Sequence, residues 1–477
     1  MRRPVLIASA MLMAASALIA TGYTPALAAG ASPAPPTAPA GISFSAKVPV
    51  IASITLPDGF AVDGWPPLWF QGGELAVIGR QSGHLIVLGY SGVGFQQRRV
   101  LAPDLGPDQR NAVLLDIAED PKQTTLAAAI GDLRDGRVEV TLRNVSEDQP
   151  TRQLARMDGR FSAAGLSWID TATLALGLVS QPPTPESTPT SYSQAYSNPT
   201  PAPAAAEAGL YAVSLHRGWP PSKISLHCAR SIDLTHTLWS PDGRHAIVYS
   251  DAPPPLLIDR STSECKDLDI PADQRVRVLG WNPSGDRFLY AAAPAANYLG
   301  GTLGFFEYDL ASGQSNVIAA PAAAATYLQE GRIAALGNRN LNPRLIARNP
   351  GMVLAAEVAL IDPGLSRIQI APLGFNTPAA TLLNGSLVYS PIAEELAIQT
   401  FFPSADGNIP IILSFFPATL KARPVATGKA GSILTMSWSP LGDMLAVLDA
   451  SASPPVLTVL SPPLFGAQGG SGGLRVQ

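Results

Sequence analysis

Residues Leu238–Tyr249 read LWSPDGRHAIVY: a tryptophan, a proline–aspartate–glycine turn and an apolar run. In Ser240-Pro241-Asp242-Gly243 the serine can accept a backbone N–H, the proline presets φ, and the glycine takes the conformation that sends the chain back. That is the chemistry of a type I turn or a three-residue hairpin loop. Leu238-Trp239 on one side and His245–Tyr249 on the other are β-prone. The stretch predicts a strand, a tight turn and a buried strand. Such a unit cannot cover both of its faces alone, so its recurrence decides the fold.

It recurs clearly as LGWNPSGDRFLY at Leu279–Tyr290, with Trp281, Pro283 and Gly285, and as MSWSPLGDMLAVL at Met436–Leu448, with Trp438, Pro440 and Gly442. Trp281 follows Trp239 by 42 residues, close to one propeller blade. Fainter copies are anchored at Trp69, Ile117, Trp168, Leu328 and Tyr389. Successive anchors are 48, 51, 71, 42, 47, 61 and 49 residues apart, and the two longest intervals carry visible inserts at Gln181–Glu207 and Asn338–Gly351. After most anchors two more strands can be read, such as FFEYDL then SNVIAA. Four strands per repeat make a blade, and eight anchors predict an all-β chain folded as a single β-propeller of eight blades, with seven as the alternative. The last repeat lacks a fourth strand. Ser43–Leu56 can supply it, so that the N-terminus closes the ring and leaves no open sheet edge.

The WSPDG unit, its apolar strand and a later LIDPG-like strand and turn resemble the TolB-type, WD-repeat-like propeller family. The resemblance spans about residues 45–461 and is sharp at Trp239, Trp281 and Trp438. Ser284 and Leu441 replace the motif's aspartate, and no room remains for the α/β domain that precedes the propeller in TolB itself. The resemblance therefore implies the fold and not TolB's envelope partners.

The start of the chain, MRRPVLIASAMLMAASALIATGYTPALAAG, has Arg2-Arg3, an apolar run and the triplet Ala26-Leu27-Ala28. This is the pattern of a secretory signal peptide over residues 1–28, with an uncleaved anchor as the alternative. A Pro/Ala-rich linker over 29–42, the propeller over 43–461 and a Gly-rich tail over 462–477 follow. The insert at 181–207 is too rich in Pro, Ser and Thr to bury a core, and disorder is expected there. Export, to the periplasm or the cell exterior, is the expected destination, with no membrane span once the signal is cut. Only 14% of the 477 residues are charged, against about 25% in typical soluble domains, while 46 prolines and 42 glycines suit short strands and turns. A net charge of −4 leaves no basic stripe for phosphates, so nucleic acid is not an expected partner. Cys228 and Cys265 could form one disulfide in an oxidising compartment or stay as two buried thiols.

No catalytic or cofactor-binding constellation can be read. The five histidines, His84, His216, His227, His236 and His245, match no compact zinc spacing. Gly469–Gly473 fits a G-x-S-x-G pattern but lacks the strand and helix that a nucleophile elbow needs. Asp242, Asp286 and Asp443 are expected to bond within their turns, and a cation-binding ring of acids, with calcium as the ion, is the alternative. The tryptophans are read as packing between blades. Two functions follow. The first is an exported, non-catalytic scaffold, expected as a monomer, that binds a protein, peptide or glycan. The alternative is a propeller enzyme, lactonase-like or otherwise hydrolytic, whose site is assembled in the channel from several blades; three or more carboxylate, His or Asn side chains converging at one channel mouth would favour it.

Overall fold

The computed structural model describes residues 48–462 except 63–64, 104–111, 133–136, 146–150, 160, 181–206, 217–219, 229–233, 250–254, 271–273, 295–303, 320–321, 338–352, 363–366, 379–386, 405–406, 430–431 and 433. The expected signal peptide, linker, Gly-rich tail beyond Pro462 and polar insert up to residue 206 lie outside the described residues. So does the G-x-S-x-G match.

The strands form eight antiparallel blades, each a meander from an inner strand A to an outer strand D. In blade 1 strand A comes in two pieces, Phe60–Val62 and Leu68–Trp69, both paired with Leu75–Gln81. The inner strands of blades 2 to 5 are Ala112–Glu119, Phe161–Asp170, Thr237–Trp239 and Gln274–Trp281, and those of blades 6 and 7 are Ala322–Tyr327 and Leu387–Ser390. One backbone pairing, Asn376 with Phe401, links blades 6 and 7 into a continuous sheet. Blade 8 takes Leu434–Trp438, Leu445–Asp449 and Val456–Leu460 from the C-terminal end and Val50–Thr55 from the N-terminal end. The first described strand thus pairs with the last, as the missing fourth strand of the final repeat requires.

The physical basis of the ring is a set of eight apolar cores, one between each pair of neighbouring blades. Ala246 and Val248 face blade 3 with Ile169 and Leu210, whereas Ile247 between them faces blade 5 with Val278 and Phe288. A strand buried on both faces needs apolar residues at every position, which is why the B strands read as unbroken runs such as Leu75–Ile78 and Leu445–Leu448. The cluster that joins Trp69, Leu75 and Val77 to Ala446, Leu448 and Leu457 closes blade 1 on blade 8.

Trp69, Trp239, Trp281 and Trp438 each end strand A of their blade. In blade 4 Gly243 N–H donates to Ser240 O at 2.8 Å, and Gly243 has φ +67°, so the turn is a type I turn closed by a left-handed glycine. Two anchors stand elsewhere than the repeat pattern places them. In blade 2 the register that Trp239 holds opposite Ala246 belongs to Glu119, paired with Leu126, and Ile117 lies two positions earlier, opposite Ala128. Asp120-Pro121 follows Glu119 as Ser240-Pro241 follows Trp239, so the turn sets the register and the apolar character of Ile117 misleads. In blade 6 the position belongs to Tyr327, paired with Ile333, while Leu328 takes the place of the turn serine.

Candidate functional site

The repeat residues serve the ring. The indole N–H groups of Trp69, Trp168, Trp281 and Trp438 donate to the carbonyls of Ser437, Ala118, Leu238 and Val388, at 3.1, 3.3, 3.1 and 3.2 Å. Each acceptor is the residue just before the anchor of the preceding blade. Tyr389 holds the same register in blade 7, and the Trp239 indole N–H is buried without a partner among the described residues. Pro241, Pro283 and Pro440 each open a turn whose glycine, Gly243, Gly285 or Gly442, has positive φ. Asp242 accepts from Ser240 Oγ and the Arg244 N–H, and Asp443 accepts from Ser439 Oγ at 2.8 Å. Hydrogen bonds from Ser284 and Asn282 hold Asp286 below the usual carboxylate range. The three turn acids are therefore engaged within their own turns. Cys228 and Cys265 are joined in a disulfide, with Cα atoms 4.9 Å apart, beside a parallel bridge of His227 with Glu264. Among the described residues no three His, Cys, Asp or Glu side chains are grouped so as to hold a metal ion.

A different set of residues gathers on the inner strands, whose free edges face the propeller axis. Counted from the anchor pair, the fourth pair of strands A and B is Asp116 with Ala129 in blade 2, Gly165 with Gly177 in blade 3 and Arg277 with Ala291 in blade 5. In blade 4 it is His236 with Tyr249, whose N–H donates to the His236 carbonyl at 3.1 Å. One level of four adjacent blades therefore carries an acid, a glycine, a histidine and an arginine.

The glycine explains how the others meet. A Cβ on Gly165 would lie 1.8 Å from the Thr235 carbonyl oxygen, and one on Gly177 would lie 2.0 Å from that of Leu234. Only glycine permits the segment entering blade 4 to lie against blade 3 this closely. Asp116 Oδ2 accepts the Leu166 N–H at 2.7 Å, reaching across to the strand of blade 3. Thr235 Oγ1 lies 3.0 Å from His236 Nδ1, and the His236 and Tyr249 rings are 5.8 Å apart.

Burial pushes the Asp116 carboxyl up to about 6, against the lowering pull of the Leu166 and Ile117 N–H groups and of the His236 charge. Burial also raises Tyr249, with Arg277 lowering it and Asp116 raising it further. The four groups thus feel one another electrostatically. His236 is exposed and Arg277 is half-buried, and no carboxylate pairs with Arg277 among the described residues. A cation on the same level as an exposed imidazole in the neighbouring blade, with a carboxyl that changes charge near pH 6, suits a ligand bearing a carboxylate. In the sequence His236 stands out only as one of five histidines. Asp116 and His236 each lie three residues before their true anchor, so the corrected register aligns them; the bulge at Leu279 moves Arg277 one residue out of that count.

No family model and no curated protein matches the chain. By structure it is similar to the C-terminal WD40 domain of Sif2, at 9% identity and TM-score 0.48, covering 87% of this chain and 99% of that one. It is similar to an oligogalacturonate lyase in complex with manganese, at 11% identity and TM-score 0.45, covering 87% and 98%. It is also similar to a chain from a study of two prolyl endopeptidases, at 14% identity and TM-score 0.44, covering 82% of this chain and 55% of that one. This chain spans about half the length of the last. The propeller assignment rests on the pairings within this chain.

Proposed function

We propose that the protein is an exported, non-catalytic β-propeller that binds a carboxylate-bearing peptide or glycan, free or displayed on a partner, at the inner-strand level of blades 2 to 5. The observation that carries this reading is the placement of Arg277, His236 and Asp116 on one level of neighbouring inner strands, with Gly165 letting the backbone just before His236 lie against blade 3. Arg277 supplies the planar cation, and His236 adds a donor when protonated. The N-terminal pattern of Arg2-Arg3, apolar run and Ala26-Leu27-Ala28 supports export.

The test is a binding panel of acidic peptides and uronic-acid oligosaccharides, each beside its carboxyl-reduced or amidated twin. Acid-dependent binding that weakens at least tenfold in Arg277→Ala supports the reading. Equal binding of acids and their neutral twins sinks it. A hydrolytic reading draws on one observation, the Asp116 carboxyl raised to about 6 beside His236. Turnover of esters or lactones that vanishes in Asp116→Asn would move it ahead, and no turnover in the native protein would discard it.

A further inference from the structure

The turns between strands A and B of blades 6, 7 and 8 form a continuous surface distinct from the level of Asp116 and Arg277. Gln329 Nε2 donates to the Pro391 carbonyl at 2.9 Å, tying the blade 6 turn to the blade 7 turn. A Cβ on Gly442 would lie 2.6 Å from Ser390 Oγ and 3.0 Å from Ala393 Cβ, so the blade 8 turn rests directly on that of blade 7. The turn-tip position that holds Asp242 in blade 4 and Ser284 in blade 5 holds Ile392 in blade 7 and Leu441 in blade 8. These two apolar side chains are 66% and 71% exposed. Beside them, between the blade 6 and blade 7 turns, a cleft of about 230 Å³ is lined by Gln329, Glu330, Arg332, Tyr389, Glu394 and Phe416, among others.

The charges in the cleft do not satisfy one another. Neither Glu330 nor Glu394 makes an ion pair or side-chain hydrogen bond among the described residues, although both act on the Tyr389 hydroxyl through their charge. Arg332 is half-buried, and its Nε has no partner among the described residues. The three leave the cleft with a net charge of one negative unit. Two aromatic rings line it, and aromatic faces attract cations. Exposed apolar tips next to a negative, aromatic cleft form a two-part surface that water alone does not explain.

We propose that this surface docks an extended segment of a partner protein in which an apolar side chain neighbours a lysine or arginine. The apolar group rests on Ile392 and Leu441. The cationic group enters the cleft between Glu330 and Glu394, beside Tyr389 and Phe416.

Fluorescein-labelled octapeptides with Leu-Lys, Leu-norleucine or Leu-Glu in a Gly/Ser frame test this by fluorescence polarisation against the full mature chain. The Leu-Lys peptide should bind at least tenfold more tightly than the other two, and the double variant Glu330→Gln with Glu394→Gln should abolish that preference. Ile392→Ser with Leu441→Ser should weaken binding while the preference for lysine remains. All four positions are solvent-facing turn residues, so melting temperatures should stay within a degree or two of native. Equal binding of the three peptides, no binding up to millimolar concentration, or affinity unmoved by either double variant would overturn the proposal. A dimer of this chain that disappears in the Ile392/Leu441 variant would overturn it too, by showing that a second copy covers this face.

Discussion

Trp239 and Glu119 occupy the same register in blades 4 and 2, and the contrast shows what the position demands. Trp239 is 6% exposed and fills the seam with Ile169 and Leu234. Its replacement by alanine should cost about 3 to 5 kcal/mol in denaturant unfolding, and an unchanged midpoint would contradict its burial. Glu119 offers a carboxyl where five other blades offer an indole and two a phenol. Burial, with a smaller contribution from Asp120, pushes that carboxyl up to about 8, and Glu119 Oε1 has no partner among the described residues. Because the folded-state value is raised, the stabilisation is full below the unfolded carboxyl range, near 4.5, and is lost as pH rises toward 8. The melting temperature should therefore fall between pH 5 and pH 8 by more in the native chain than in Glu119→Gln. Parallel pH profiles would contradict this. No sequence pattern announces a glutamate at a tryptophan position, because period and polarity both point to Ile117 instead.

At the scale of elements, the hairpin turn is the unit the sequence states most clearly. Ser240-Pro241-Asp242-Gly243 is legible from residue types alone because each of them has one role in a tight turn. The faint copies are legible in place but not in register: Leu328 and Ile117 are apolar and pack in the seams between blades, whereas the anchor pairing belongs to Tyr327 and Glu119. The strand Val50–Thr55 is legible from a deficit, the missing fourth strand of the last repeat. Deleting residues 29–56 should expose the edge of Val456–Leu460 and open the cluster around Trp69 and Leu457, so the shortened chain should melt well below the full one. Equal melting temperatures would remove that strand from the ring. The disulfide links residues 37 apart in sequence, for which the chain-entropy account gives roughly 4 kcal/mol; replacing both cysteines by serine should lower stability by no more than that. With Asp242, Asp286 and Asp443 engaged in their own turns, chelation by EDTA should leave the melting temperature where it is. A fall on chelation, with stoichiometric calcium in the native protein, would revive the acid-ring reading.

For the whole molecule, eight inter-blade cores closed by an N-terminal strand make a frame on which polar residues can be held at fixed levels of the inner strands. Composition and repeats reach that frame because they act through burial, which leaves a periodic trace. The level of Asp116, Gly165, His236 and Arg277 leaves none, since its residues are separated by 161 positions and share no type. Only the pairing register brings them together. That level also has a pH dependence of its own: Asp116 loses its negative charge as pH falls through about 6, so affinity for a carboxylate ligand should rise. Asp116→Asn should flatten much of that rise. The most direct measurement is isothermal titration of the tightest acidic ligand from the panel into three proteins: native, Arg277→Ala, and Glu330→Gln with Glu394→Gln. A loss of at least tenfold in Arg277→Ala alone, with the turn-face variant indistinguishable from native, is the predicted result. Native affinity in Arg277→Ala, or a loss confined to the turn-face variant, would contradict the inner-strand site.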